Sequence, residues 1–469
     1  MSTISTICRF CSFFCISWVA LASAPAQGRE EKIPIQEISH LVSQRVKNIS
    51  PGCVVLIAQK GKIVYEEAFG NADMELQVPM KPEMIFRIGS VTKQYTAIAI
   101  LQLVEQGKIS LMDSIQRFIG DFPYKGHTIT IENLLTHSSG IIDYQALDSQ
   151  TVGDRFYYRK DFEPKQVIDL FKNVPLEFTP GSKFAYSNSN YFLLGYIIER
   201  VTGLTYREYM ERNIFLAAGL SHTYYGGYKE IIPNRVSGYA KYSGHYENAD
   251  YLSMSIPYAA GALMSNAEDM FKWHMALHDY KLVQKASLDK ACTPFTCTDG
   301  TVSEYGYGWF IKNRNGSKSI EHSGGIDGFQ ADEIYIPSKD LYIATLYNSL
   351  NEGGSDPAFL GLDNEIETLA VGKQLNQEIV VADSILRQYT GIYETDPKHQ
   401  AVITLENSQL QIEADAGGLP KSPLFAKSDH LFFLKVIDAE IEFVRGNNQQ
   451  VTEAIIRFKG ASEVCKKVK

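Results

Sequence analysis

The 469-residue sequence predicts an α/β (α+β) protein in two parts. The first is an antiparallel sheet flanked by helices, with an all-helical lobe inserted into it. The second is a small antiparallel β-barrel or sandwich. Three observations carry this reading. β-Branched runs occur near residue 55 and again between 307 and 347, so strands from both ends can meet in one sheet. Helical patterns fill the stretch between them. From about residue 380 the texture changes to short alternating runs spaced by turn residues, as in small all-β units.

The elements follow in chain order. Arg9 precedes the apolar run Phe10–Leu21, and Ala22-Ser23-Ala24-Pro25-Ala26 follows. These are the n-region, h-region and A-x-A ending of a secretory signal peptide, so residues 1–26 are expected to be cleaved and the protein to be periplasmic or secreted. The run is shorter than the roughly 20 residues a spanning helix needs, and no other stretch approaches that length. No membrane span is therefore expected after cleavage. Cys53–Ala58 and Ile63–Tyr65, separated by Lys60-Gly61, read as a hairpin. Ser90 to Gln106 is apolar almost all round and stops at Gly107, which marks a buried helix with a glycine C-cap. Further helices are expected at Tyr191–Val201, closed by Gly203, and at Glu268–His278.

Strands are expected at Tyr307–Ile311, Asp332–Ile336 and Leu341–Tyr347. Gly353–Asp356 and the helix-like residues to about 378 are assigned to a connection. Short strands then recur at Ala401–Leu405, Leu410–Ile412, Leu431–Val436, Ile441–Val444 and Ala454–Phe458. Asn407-Ser408, Gly417-Gly418 and Gly446-Asn447 mark turns between them. The expected domains are 27–372 and 380–469.

With 45% hydrophobic and 21% charged residues, the chain has material for a large core, which excludes a disordered or fibrous protein. The net charge is −9 and Lys and Arg form no cluster, so no nucleic-acid partner is expected. Four cysteines follow the leader: Cys53, Cys292, Cys297 and Cys465. Their even number permits disulfides, and Cys292 and Cys297 could close a short loop. Cys53, inside an apolar run, reads as a small buried hydrophobe. No C-x-x-C follows the leader. His274 and His278 stand at i, i+4, but the glutamate of H-E-x-x-H is missing, so they read as packing residues. No metal and no cofactor is implied.

Three short patterns can carry chemistry. In Ser90-Val91-Thr92-Lys93, at the start of the buried helix, Ser90 and Lys93 share a face. Free N–H groups at a helix start can stabilise an oxyanion, and a desolvated lysine can accept a proton. The same spacing recurs at Ser287-Leu288-Asp289-Lys290, which reads as exposed helix surface. In Tyr186-Ser187-Asn188, a phenol near an ammonium can be driven toward phenolate, and an amide can orient both lysine and substrate. Tyr246-Glu247-Asn248 repeats that pattern. In His322-Ser323-Gly324-Gly325, between strand-like segments, the glycines allow close approach of a substrate backbone.

The joint order of these patterns resembles the serine β-lactamase and penicillin-binding-protein superfamily. Six blocks in order sharpen the resemblance to its class C β-lactamase-like branch: Phe86–Ala97, Leu134–Gly140, Pro180–Asn188, Leu194-Gly195, Ala260–Ser265 and His322–Phe329. They span roughly residues 31–370. Tyr389-Thr390-Gly391-Ile392-Tyr393 looks like the start of the lipocalin-like extension some members carry.

The resemblance implies a β-lactamase/transpeptidase-like fold and an exported serine hydrolase. It makes Ser90 the acylated nucleophile, with Lys93 and Tyr186 managing its proton. Asn188 would hold the substrate amide, Ser90 and Gly325 N–H groups would form the oxyanion hole, and His322, Ser323 and Gly324 would line the substrate side. The substrate is a small peptide, ester or β-lactam. His322 fills the position that is lysine in class C β-lactamases, and histidine with a reference pKa near 6.5 is only partly charged at neutral pH. A D-amino-acid peptidase or D-alanyl-D-alanine carboxypeptidase is accordingly expected first, an esterase second and an efficient β-lactamase third. A catalytically inactive binding homologue is the non-enzyme rival, and the intact Ser90, Lys93, Tyr186 and Asn188 argue against it.

Overall fold

A computed structural model describes residues 32–147, 159–242, 244–350, 356–396, 399–414, 419–458 and 461–468. The expected leader and the Gly417-Gly418 turn lie outside the described residues.

Strands β1 (Cys53–Gln59), β2 (Lys62–Phe69), β3 (Phe310–Arg314), β4 (Ser317–Ile326), β5 (Phe329–Ile336) and β6 (Leu341–Tyr347) form one antiparallel sheet in the order β3-β4-β5-β6-β1-β2. Cys53 lies opposite Tyr347 and Gln59 opposite Leu341, so strands from the two ends of the domain close the sheet. Helices α1 (Ile35–Arg45), α2 (Thr92–Glu105), α3 (Asn188–Thr202), α4 (Ala267–His278) and α5 (Leu362–Ala370) surround it. On one face, Val55 and Ile57 pack with Ile38 and Val42 of α1 and with Ile366 and Leu369 of α5. On the other, Val54 and Leu56 join the large core that contains α2, α3 and α4. Both faces are covered, which is why β1 reads as a continuous apolar run rather than an alternating one.

Local signals and tertiary packing meet at the helix ends. Gly107 and Gly203 both have positive φ (67° and 72°), the conformation that ends a helix most cheaply when no Cβ is present. The helix α2 begins at Thr92, because Gly89–Val91 forms a separate 3₁₀ turn that carries Ser90. Two expectations shift. The helix-like residues assigned to a connection do form a helix, α5, but it packs on the sheet rather than linking: its Leu362, Ile366 and Leu369 at i, i+4 and i+7 are buried there. His322 lies inside β4 rather than between strands.

The C-terminal strands are β7 (Gly391–Asp396), β8 (His399–Glu406), β9 (Gln409–Ala414), β10 (Leu419–Ala426), β11 (Leu431–Phe433), β12 (Ala439–Arg445), β13 (Val451–Phe458) and β14 (Ala461–Lys467). They close as a barrel, with β7 pairing β14. Its interior is filled by Tyr389, Tyr393, Ile412, Phe432, Ile441 and Phe443 among others, as eight strands enclose room for side chains. The strands β7, β10 and β14 carry the weakest sequence signals. Pro420 and Pro423 interrupt β10, and Glu463, Lys466 and Lys467 make β14 read as polar. The barrel is tied to α5, where Asn364 Nδ2 donates to Lys435 O at 2.7 Å.

The four described cysteines are free. The Cys292–Cys297 bridge that their spacing permits is not formed. Cys292 ends the helix Lys285–Ala291, while Cys297 belongs to a separate turn in which its N–H donates to Thr301 O at 2.8 Å. Among the described residues, no helix is long and apolar enough to cross a membrane and no cluster of side chains could hold a metal ion.

Candidate active site

The site is assembled from the Ser90 turn, the start of α2, the start of α3 and the far end of β4. Lys93 sits one helical turn beyond Ser90 and is fully buried. Its three N–H donors meet three acceptors: Ser90 Oγ at 2.9 Å, Asn188 Oδ1 at 2.8 Å and Ala260 O at 2.8 Å. None of these is a carboxylate, so the ammonium has lost its water without a counter-charge in contact. Burial pulls its pKa down to about 7, with the charge of nearby Asp143 opposing. Near neutral pH a substantial share of Lys93 is therefore the free amine.

Tyr186 lies against this group, with its ring centre 4.8 Å from Lys93 Nζ. Its phenol shares a hydrogen bond with Ser90, and the ring lies parallel to Phe310 at 6.4 Å. Burial is the largest influence and pushes the phenol well above its usual range, against the lowering effect of Ser90. The phenolate that a nearby ammonium can favour is opposed here: burial, with the negative charge of Asp143 adding to it, holds the phenol protonated. Asn188 opens α3 with its Oδ1 on Lys93, while Nδ2 donates to Asp143 Oδ2 at 3.0 Å and Gln145 Oε1 at 2.9 Å. All its side-chain polar atoms are thus engaged, and its first effect is to orient Lys93.

His322, in β4, is 2% exposed. A carbonyl only accepts, so the 2.6 Å contact to Ser323 O places the proton on Nδ1, and Nε2 accepts from Tyr305 OH at 3.1 Å. Burial, followed by repulsion from Lys93, pulls its pKa down to about 3. The expected partial charge is corrected: His322 is neutral. Along the same strand Ser323 and Gly325 face outward and Gly324 faces inward. A Cβ on Gly324 would stand 2.8 Å from Ser90 N, and one on Gly89 would stand 3.1 Å from Gly325 N. The Ser90 turn and the strand therefore run in backbone contact, and only glycine permits it there.

The duplicate patterns lie elsewhere. Ser287 Oγ donates to Glu105 and Lys290 pairs with Glu132 at 2.9 Å. Asn248 bonds Glu75, and Tyr246 lies beside Asp356. His274 and His278 pack on each other at 4.3 Å and on Tyr335, as packing residues do. Sequence reasoning assigned no role to Asp143, Gln145, Tyr305, Ala260 or His137. His137 and Ala260 fall in blocks that carry the resemblance, which was the available signal. Asp143, Gln145 and Tyr305 had none.

Comparison with known proteins gives a consistent picture. The family model described as Beta-lactamase matches residues 38–363, and a domain of unknown function, DUF3471, matches 376–466. The chain is 29% identical over 438 residues to penicillin-binding protein 4* of Bacillus subtilis, covering 87% of this chain and 93% of that one. It is 32% identical over 360 residues to a putative penicillin-binding protein, PbpX, of the same organism, covering 75% and 82%. An octameric penicillin-binding protein homologue from Pyrococcus abyssi superposes with a TM-score of 0.65 at 27% identity, over 92% of this chain and 98% of that one. A D-stereospecific amidohydrolase from Streptomyces sp. shares the fold, with a TM-score of 0.61 at 23% identity over 72% and 99%.

Proposed function

This chain belongs to the β-lactamase family of serine hydrolases, and from that premise we propose that it cleaves small amides or esters of D-amino acids through an acyl-enzyme on Ser90. The observation that carries the reading is the 2.9 Å contact between Ser90 Oγ and a fully buried Lys93 whose pKa is near 7. The free amine of Lys93 takes the proton as Ser90 Oγ bonds to the substrate carbonyl carbon. The developing oxyanion is met by the N–H groups of Ser90 and Gly325. Tyr186, held protonated and hydrogen-bonded at Ser90, delivers a proton to the leaving amine or alkoxide and regains one from Lys93. Water then attacks the ester with Lys93 again as base. The substrate amide takes the place of Gln145 on Asn188 Nδ2, since Gln145 is the more exposed of its two partners.

Charge decides the order of substrates. A terminal carboxylate needs a cation, and neutral His322 supplies none. Lys312 and Arg314 on β3 are already paired with Glu321 at 2.8 and 2.5 Å. Amides and peptides without a carboxylate on the leaving side therefore rank first, ahead of D-alanyl-D-alanine peptides. Esters rank second and β-lactams third; the penicillin-binding relatives support acylation of Ser90 by a β-lactam, with slow deacylation. Export follows from reading residues 1–26 as a leader.

The test is steady-state turnover of a D-amino acid amide, its L enantiomer, a D-alanyl-D-alanine peptide, a p-nitrophenyl ester and nitrocefin. Each is followed between about pH 5.5 and 8.5. The D-amide should lead. Because the base must be deprotonated, kcat/KM should rise with pH through about 7 and then level off. His322, pulled to about 3, and Tyr186, raised by burial, add no limb within this range. A profile that is flat, or that falls as pH rises through 7, would remove Lys93 as the base, and preferred cleavage of the carboxylate-ended peptide would reverse the substrate order.

A further inference from the structure

His137 lies outside the reacting group, yet it is fastened to it in an unusual way. It is fully buried and holds a left-handed backbone conformation, φ 54°, which few residues besides glycine adopt, Asn, Asp and His being the commoner exceptions. The neighbouring turn over-determines this conformation. Thr136 Oγ1 and Ser138 Oγ share a hydrogen bond at 2.8 Å, and Ser138 O accepts from Gly181 N at 2.7 Å.

Held there, His137 grips the chain on both sides of Tyr186. Its carbonyl accepts the N–H of Ala185 at 2.9 Å, and its Nδ1 accepts the N–H of Ser187 at 3.1 Å. Its ring lies 4.3 Å from the Tyr186 ring, tilted by 32°. A backbone N–H only donates, so Nδ1 carries no proton and the neutral ring holds its proton on Nε2. Asn190 Nδ2 approaches the same Nδ1 at 3.3 Å, and Ser139 Oγ donates to Asn190 Oδ1 at 2.6 Å, which sets that amide. Nε2 has no hydrogen-bond partner among the described residues. Burial, with Lys93 and His322 nearby, keeps the ring from protonating, which would abolish the Nδ1 acceptor.

We propose that His137 is a positioning residue that sets the Tyr186 phenol at Ser90, by accepting the amide hydrogens of both chain neighbours of Tyr186 while stacking on its ring. This rests on reading Tyr186 as the proton carrier of the Ser90 reaction. The strain at φ 54° has a use in this arrangement: it turns the carbonyl and the ring of one residue toward the same strand of chain.

The experiment compares full-length His137→Ala, His137→Gln and His137→Asn with the wild type. It measures kcat and KM on the ester that turns over, hydrogen exchange at the Ser187 amide, and the melting temperature. Asparagine tolerates the left-handed backbone, and its Oδ1 branches from Cγ as Nδ1 does; the glutamine oxygen lies one bond further out. Ala and Gln should lose about 10²-fold in kcat, the scale of a misplacement near 1 Å, with KM within about threefold. Their Ser187 amide should exchange faster. Asn should restore protection and return kcat to within about tenfold of wild type. Equal losses in Asn and Gln, or loss of Ser187 protection with kcat unchanged, would overturn the proposal. A Ser90→Ala control that is acylated like the wild type would overturn the Ser90 reading itself, so the two failures are separable.

Discussion

Ser90→Ala is expected to abolish covalent labelling by a fluorophosphonate or a fluorescent penicillin and to lower turnover by on the order of 10⁴-fold or more. The substitution removes one oxygen and little else. Lys93 keeps Asn188 Oδ1 and Ala260 O as acceptors at 2.8 Å, so it remains held in place and its burial is unchanged. The proposed oxyanion donors, the N–H groups of Ser90 and Gly325, are backbone groups and also survive. Residual activity should therefore be the fraction that binding and electrostatics supply without a nucleophile, a pattern known from other serine hydrolases. The variant should melt within a few degrees of wild type. Ser287→Ala provides the contrast. It disrupts the second S-x-x-K pattern, which serves a hydrogen bond to Glu105, and should label at the wild-type rate. Labelling of Ser90→Ala at that rate would end the assignment.

The second large effect is expected from a single methyl group. In Gly324→Ala the new Cβ would stand 2.0 Å from Ile88 O and 2.8 Å from Ser90 N. Both are backbone atoms, so no side chain can swing aside; β4 and the Ser90 turn must separate. Oxyanion donors are effective only at about 2.7–3.1 Å from the reacting oxygen, so this separation should cost about 10²–10³-fold in kcat. Forced overpacking of this kind also costs about 1–3 kcal/mol of stability. Gly325→Ala is the control one residue along. Its Cβ would meet only Leu350 Cδ2, at 3.2 Å, the end of a flexible side chain. Activity within about tenfold of wild type is expected. The reverse ranking of the two variants would show that the oxyanion hole is not built from this contact.

Much of the architecture was legible because it rests on local rules. Lys60-Gly61 turns a hairpin, and Gly203 ends α3 with a positive φ. The apolar run Cys53–Ala58 announces a strand covered on both faces. The Ser90–Lys93 spacing is equally local, since three residues on a helix keep two side chains on one face wherever the helix lies. The barrel was legible as a class, from strand length and turn frequency. Three of its strands were not, because a small closed barrel leaves one face of every strand in water and tolerates prolines and charges there.

The electrostatic state of the site could not be read the same way. Histidine at 322 has a reference pKa near neutrality, and only its enclosure with Tyr305, Ser323 and Lys93 makes it neutral. A phenol beside a lysine can be driven toward phenolate, and only the burial of Tyr186 shows that it is held protonated instead. Asp143 reaches Asn188 across 45 residues of chain, and no spacing rule links them. By itself the sequence determined which residue types meet and in what order along the chain, because turns, caps and helical faces depend on neighbours within a few positions. The tertiary structure alone decided their protonation and their partners, because desolvation and hydrogen bonding depend on every element packed around a group.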